Sequence, residues 1–228
     1  MGRAFSDRVD DNLIQVTGLV LSSGPVGEYD KRVVILTRER GKLSAFAKGA
    51  RRQNSPLISG TRPFCFGDFW LYEGRTSFTL RQLSITNYFE EVTSRMEYVY
   101  PGYYFLELAD YYSRENGDEF VTLKLLYQAL RALSRESLDN RLVRAVYELR
   151  MMAMNGDFDR GYFSGLSEAG QYTVDFVIST PVEKLFTFAV SEEVLSEFTE
   201  AVRKNKKRFL DRELKSEQVL NSMDIIFS

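Results

Sequence analysis

The stretch Lys31-Arg32-Val33-Val34-Ile35-Leu36-Thr37-Arg38-Glu39-Arg40-Gly41-Lys42-Leu43-Ser44-Ala45-Phe46-Ala47-Lys48 decides the fold class. Val33, Ile35 and Thr37 recur at every second position, the period of a strand with one buried face. Arg38-Glu39-Arg40-Gly41-Lys42 reads as a tight charged turn into a second strand over residues 43–48. Upstream, Ile14, Val16 and Val20 keep the same period, and Ser22-Ser23-Gly24-Pro25-Val26-Gly27 is rich in turn formers. Downstream, residues 49–60 make a long loop around Pro56. A fourth strand fits residues 62–72, with Phe64, Phe66, Trp70 and Tyr72 on one face. Glu73-Gly74-Arg75-Thr76 suits a hairpin turn, and residues 77–85 a fifth strand. Five short strands with a long loop after the third match a small closed barrel of the OB type, whose closure removes exposed sheet edges.

After Asn87 the period changes. Residues 95–113, 119–135 and 140–154 carry apolar side chains at three- and four-residue spacing, the mark of amphipathic helices. Val121, Leu125, Leu126, Leu130 and Leu133 form the stripe of the second, and Asn155-Gly156 stops the third. Pro101-Gly102 predicts a kink or late start in the first. Helical signal returns over residues 167–179, stops at Pro181, and resumes where Ser191-Glu192-Glu193-Val194 offers a capping serine and an acidic first turn. The class is therefore α+β: a lead-in over residues 1–12, mobile and polar; a five-stranded OB-fold barrel over 13–86; an all-helical domain over 87–228.

The net charge of −2 conceals a division along the chain. Residues 31–81 hold eleven basic and three acidic side chains, so that window carries +8 and the remainder −10. A basic segment joined to an acidic one suits a polyanionic partner, against the alternative of ordinary surface charge. With one cysteine, Cys65, and no histidine, a disulfide framework, a Cys/His zinc site and imidazole catalysis are excluded, and no cofactor is expected. A buried, reduced thiol is the expected state of Cys65. No phosphate-cradling glycine loop or nucleophile elbow is present, so the sequence argues against an enzyme. The longest uncharged run, residues 12–27, is too polar to span a membrane, and no basic-then-apolar start signals secretion, so the cytoplasm is expected. Met1-Gly2 with Ser6 fits only the loose myristoylation pattern.

The strongest local feature is Ala47-Lys48-Gly49-Ala50-Arg51-Arg52, which ends a strand and opens a loop. Lys31, Arg32, Lys42 and Arg75 fall at other strand ends or turns and extend the same rim. Dispersed cations of this kind bind phosphate backbones without reading bases. For Phe64, Phe66, Phe69, Trp70 and Tyr72, core packing is the expectation, with base stacking the alternative. Glu28 and Asp30 suit a turn better than a metal pair. Arg203, Lys204, Lys206, Lys207 and Arg208 form either a solvated helix end or a second DNA contact. Arg131, Arg135, Arg141, Arg144 and Arg150 could border a groove for an acidic tail.

The run Val16-Thr17-Gly18-Leu19-Val20-Leu21, then Gly27-Glu28-Tyr29-Asp30-Lys31, Leu36-Thr37-Arg38-Glu39-Arg40-Gly41-Lys42-Leu43-Ser44 and Ala47-Lys48-Gly49-Ala50-Arg51-Arg52, resembles the bacterial RecO family in order and spacing. Glu148-Leu149-Arg150-Met151-Met152 and Ser179-Thr180-Pro181-Val182-Glu183-Lys184-Leu185 extend the resemblance downstream. It implies an amino-terminal OB fold, a helical carboxy-terminal domain and a role in recombination with RecF-pathway proteins. It also implies binding of single- and double-stranded DNA, strand annealing, and action with RecR in helping RecA displace the single-stranded-DNA-binding protein. That protein's acidic carboxy-terminal tail is a further implied partner. Many members carry a four-cysteine zinc module at the position of residues 155–170, and this chain has no cysteine there. Two other readings remain: an adaptor whose basic rim meets an acidic protein, and a nuclease using Glu28 and Asp30 with a metal.

Overall fold

The computed structural model describes residues 12–227, with side-chain surroundings through residue 222. The expected lead-in and the Met1-Gly2-Ser6 pattern lie outside the described residues, apart from Asn12, whose carbonyl accepts from the Glu73 backbone N–H at 2.8 Å. Five strands, β1 (Leu13–Val26), β2 (Asp30–Thr37), β3 (Gly41–Ala47), β4 (Phe66–Glu73) and β5 (Phe78–Asn87), close into a barrel in the order β1-β2-β3-β5-β4. All pairings are antiparallel except β3 with β5, the parallel contact that seals an OB barrel.

Seven helices follow: α1 (Glu90–Thr93), α2 (Met96–Tyr112), α3 (Phe120–Leu133), α4 (Asn140–Met154), α5 (Glu168–Ser179), α6 (Glu192–Phe209) and α7 (Lys215–Phe227). Ser167 and Ser191 cap α5 and α6, their hydroxyls accepting from Gly170 and Val194 backbone N–H groups. No described helix is long and apolar enough to cross a membrane.

Several local expectations give way to tertiary context. Ser22 to Val26 does not turn: β1 runs on through Val26 after a bulge between Val20 and Ser22, paired with Asp30–Val34. In β4 the inward residues are Gly67, Phe69 and Leu71, while Phe66, Trp70 and Tyr72 face outward and are half-buried. Phe64 precedes the strand in a left-handed conformation (φ 72°), which turns its ring out of the barrel while Cys65 stays inside. Helix α2 starts at Met96 despite Pro101, which lies in its second turn and forfeits a single backbone bond there. Val121 is exposed; Leu123, Leu125, Leu126, Leu130 and Leu133 make the buried stripe of α3.

Two apolar clusters hold the molecule. One fills the barrel around Val20, Val33, Ile35, Phe69 and Leu71. The other joins the helices and takes in Leu19, Leu21, Leu36 and Phe64 from the barrel's outer wall. Phe64 packs edge-on against Tyr103 at 4.9 Å and lies so close to α2 that a Cβ at Gly102 would sit 2.8 Å from its ring.

At Gly18 a Cβ would lie 2.5 Å from the Leu36 carbonyl oxygen and 2.8 Å from Ile35 Cγ2. Backbone cannot yield there without parting β1 from β2. Gly18→Ala is expected to destabilise the fold by about 1–3 kcal/mol. Denaturant unfolding would show a lower midpoint at unchanged slope; an unchanged midpoint would disprove the constraint.

Candidate functional site

The site is assembled by one carboxylate and two apolar anchors. Asp30, at the start of β2, accepts from the Gly49 backbone N–H at 2.7 Å. That bond fixes the turn after β3, where Gly49 adopts φ 67° and the Arg51 N–H donates to the Tyr29 carbonyl at 2.9 Å. Ala50 and Leu57 point into the barrel core, which turns Lys48, Arg51 and Arg52 outward. Asp30 is thus a positioning residue rather than half of a metal pair with Glu28.

Two groups of cations result. At the loop end, Lys31 reaches Thr61 Oγ1 at 3.2 Å; burial, then Arg62 and Arg51 nearby, lower its ammonium pKa. Arg51 donates to the Gly27 carbonyl at 3.1 Å, and the Arg52 guanidinium lies over the exposed Tyr29 ring at 5.2 Å. On the outer β2–β3 face, Arg32 donates to Ser44 Oγ at 2.7 Å and lines a groove of about 550 Å³ with Phe46 and Arg75. Arg32 pairs across the ladder with Phe46, and Lys48 follows two residues later, just past the end of β3, so the two groups adjoin.

Among the described residues the strands and turns of the barrel contribute only two ion pairs, Arg40–Glu73 and Lys42–Asp110. Among the described residues, Lys31, Arg32, Lys48, Arg51, Arg52, Arg62 and Arg75 have no carboxylate within ion-pair distance. Lys42 differs from the expectation: its ammonium bonds the Asp110 carboxylate at 3.0 Å and the Asp110 carbonyl at 2.6 Å, pinning the barrel to the end of α2.

The helical candidates are mostly engaged within the fold. Lys206 is buried against Glu148 at 2.7 Å, Tyr104 at 3.1 Å and Glu217, so it cannot touch DNA as expected of a second contact. Arg203 and Lys204 pair with Glu200 on the same helix; Lys207 and Arg208 remain exposed and unpaired among the described residues. The five arginines expected around an acidic tail lie at different places, Arg141 paired with Asp139 and Glu192. Arg144 joins Glu148 and Glu217, and Arg150 donates to the Val177 and Ile178 carbonyls, its pKa lowered by burial. Arg135 donates to the Phe186 carbonyl, and Arg131 is exposed on α3.

Burial alone would raise the Glu148 carboxyl, but Lys206 and Arg144 outweigh it and hold the group at about 2. Residues 155–170 contain no cysteine or histidine and do not fit a zinc module. Asn205 bonds Asp159 N–H and the Asp157 carbonyl there, at 3.0 and 2.8 Å, while Phe158 and Phe163 stack at 5.3 Å. Sequence reasoning missed Phe46, Tyr29 and Arg62 as site residues. The alternation of Ala45 and Ala47 in β3 was the signal that would have turned Phe46 outward.

An OB barrel that presents an unneutralised cationic face and is fused to a helix bundle belongs to the polyanion-binding class. The Recombination protein O N terminal family matches residues 12–89, the whole barrel. Similar proteins include the DNA repair protein RecO of Acetivibrio thermocellus, 24% identical over an alignment of 248 residues covering 94% of this chain and 99% of the relative. Those of Alkaliphilus metalliredigens and Moorella thermoacetica are 32% and 33% identical over 144 residues, 63% of this chain and 58% and 53% of theirs. The chain is thus similar to RecO proteins, by a RecO amino-terminal family match over its barrel and by a relative that aligns along nearly its whole length.

Asp30→Ala adds a net positive charge yet frees the Gly49 turn. Fluorescence anisotropy is expected to show weaker oligonucleotide binding for Asp30→Ala, with Asp30→Asn close to wild type. Tighter binding by the alanine variant would mean that charge alone matters.

Glu148→Gln is expected to lower stability by about 3–5 kcal/mol, because Lys206 and Arg144 lose their shared carboxylate. With the folded pKa depressed below its ordinary 4.5, this stabilisation is complete above pH 4.5 and disappears as pH falls towards about 2. Unfolding curves across that window should therefore converge for wild type and variant; parallel curves would contradict the assignment.

Proposed function

We propose that this chain is a DNA repair and recombination mediator that binds single- and double-stranded DNA through phosphate contacts and anneals complementary strands. With RecR it assists RecA in loading onto strands coated by the single-stranded-DNA-binding protein, in the cytoplasm at the nucleoid. The names of its relatives support the repair role. The observation that carries the DNA reading is the barrel surface itself: Arg32, Lys48, Arg51, Arg52 and Arg75 are exposed and make no ion pair among the described residues, with Glu73 and Glu115 the carboxylates that share the groove of Arg32 and Arg75. Leaving such cations unpaired has no folding benefit, whereas a phosphate backbone neutralises them and releases condensed counterions.

These side chains approach as point charges and guanidinium forks, not as a helix in a major groove, so weak sequence preference follows. Annealing follows from partial neutralisation, which lowers the repulsion between two strands held on one surface. Lys31 sits at the edge of the face, and Lys42 acts in docking the domains. Lys207 and Arg208 extend the proposal to a second DNA contact. For the acidic tail of the single-stranded-DNA-binding protein, Arg131 on α3 and Arg135 just beyond the end of that helix are exposed candidates.

The test is a salt series of single-strand binding by wild type, Lys48/Arg51/Arg52→Ala and Lys42→Ala. The triple variant is expected to flatten the log–log salt slope by about 2 (~0.7 per contact). Lys42→Ala should keep the slope and lose thermal stability instead. An unchanged slope in a folded triple variant would move the interface off the barrel.

A further inference from the structure

Phe46 stands out on the cationic face. The inward positions of β3 are Leu43, Ala45 and Ala47, so Lys42, Ser44 and Phe46 alternate outward, and Phe46 is 36% exposed. Its neighbours on that surface are Arg32 across the β2 ladder, Thr79 across β5, Ser44 before it and Lys48 after it. None of these gives the ring an apolar surface to pack on. Tyr29, Tyr72 and Phe120 are each covered by a cation, from Arg52, from Arg81, and from Arg38 with Lys124, whereas the exposed Tyr162 and Tyr172 of the helical part have none but lie away from the cationic barrel surface. Among the described residues Phe46 has neither an aromatic nor a cation partner. It lines the same groove as Arg32 and Arg75.

We propose that Phe46 is a stacking platform for an unpaired base, and that it makes the barrel face select single strands over duplex. The proposal rests on the phosphate-binding reading and adds the substrate class. Cross-strand Cβ atoms lie about 5 Å apart, so a base on the Phe46 ring has its own phosphate within reach of Arg32 or Lys48. Bases in a duplex are already stacked and paired, and they cannot offer a face to the ring. Every base has a π-face, so the contact discriminates strandedness and not sequence.

The experiment compares wild type, Phe46→Ala and Phe46→Trp on three labelled probes of equal length. They are an oligo-dT strand, an abasic strand with the same number of phosphates, and a duplex. Phe46→Ala is expected to weaken oligo-dT binding at least about fivefold, with abasic-strand and duplex binding unchanged and Phe46→Trp restoring affinity. Equal losses on all three probes, or no loss on oligo-dT, would overturn the stacking assignment. The abasic strand separates the two readings: salt-dependent binding of it by wild type keeps the phosphate interface even if stacking fails. Its absence alongside tight oligo-dT binding would overturn the phosphate reading alone.

Discussion

The structure depends on a barrel that must bury both sides of part of its wall. Leu19 and Leu21 of β1, Leu36 of β2 and the out-turned Phe64 leave the barrel interior to Val16, Val20, Val33 and Ile35, and pack against the helices. A closed barrel has no sheet edge to offer, so the helical domain can attach only through such an outer wall. The left-handed Phe64 and the side-chain-free Gly102 are what let the two surfaces meet. Strain of order 1–3 kcal/mol at a residue like Phe64 persists because packing on both sides over-determines it.

Docking on one wall decides which surface is left. Among the described residues the barrel's cations Arg32, Lys48, Arg51, Arg52 and Arg75 make no ion pair, whereas the helical part pairs eight of its own, among them Arg141 with Asp139 and Glu192, Arg160 with Asp175 and Lys124 with Glu183. The contrast matters because exposed pairs add little stability and their absence costs the fold little. The barrel is thus free to carry a field that the rest of the molecule neutralises. Inside the bundle the Arg144, Glu148, Lys206 and Glu217 cluster is balanced in charge, and its role is to hold α4, α6 and α7 in register.

Residues 155–170 are closed by an asparagine and two stacked phenylalanines. Asn205 from α6 satisfies backbone groups at Asp157 and Asp159, and Tyr112 donates to the Asp157 carboxylate at 2.8 Å.

Period and turn chemistry were legible from the chain itself. Alternation in β2, the glycine-bearing turns and the helical spacing after Asn87 determined a small barrel followed by helices, and the divided charge located its cationic part. These are local properties, fixed by what each few residues can do with water and with their own backbone. Tertiary structure decided the rest. The unbroken runs Leu19-Val20-Leu21 and Val33-Val34-Ile35-Leu36 show that both faces are apolar without saying which face meets the core and which the helices. Lys42 and Arg75 look alike in sequence, and only the distant Asp110 makes one a docking residue and leaves the other exposed. Lys206 and Lys207 are adjacent, yet one is buried in a carboxylate cage and the other faces solvent, because the helix turns them to different neighbours. A side chain's chemistry is written in the chain, but whether it is exposed or already satisfied depends on partners brought from far along it.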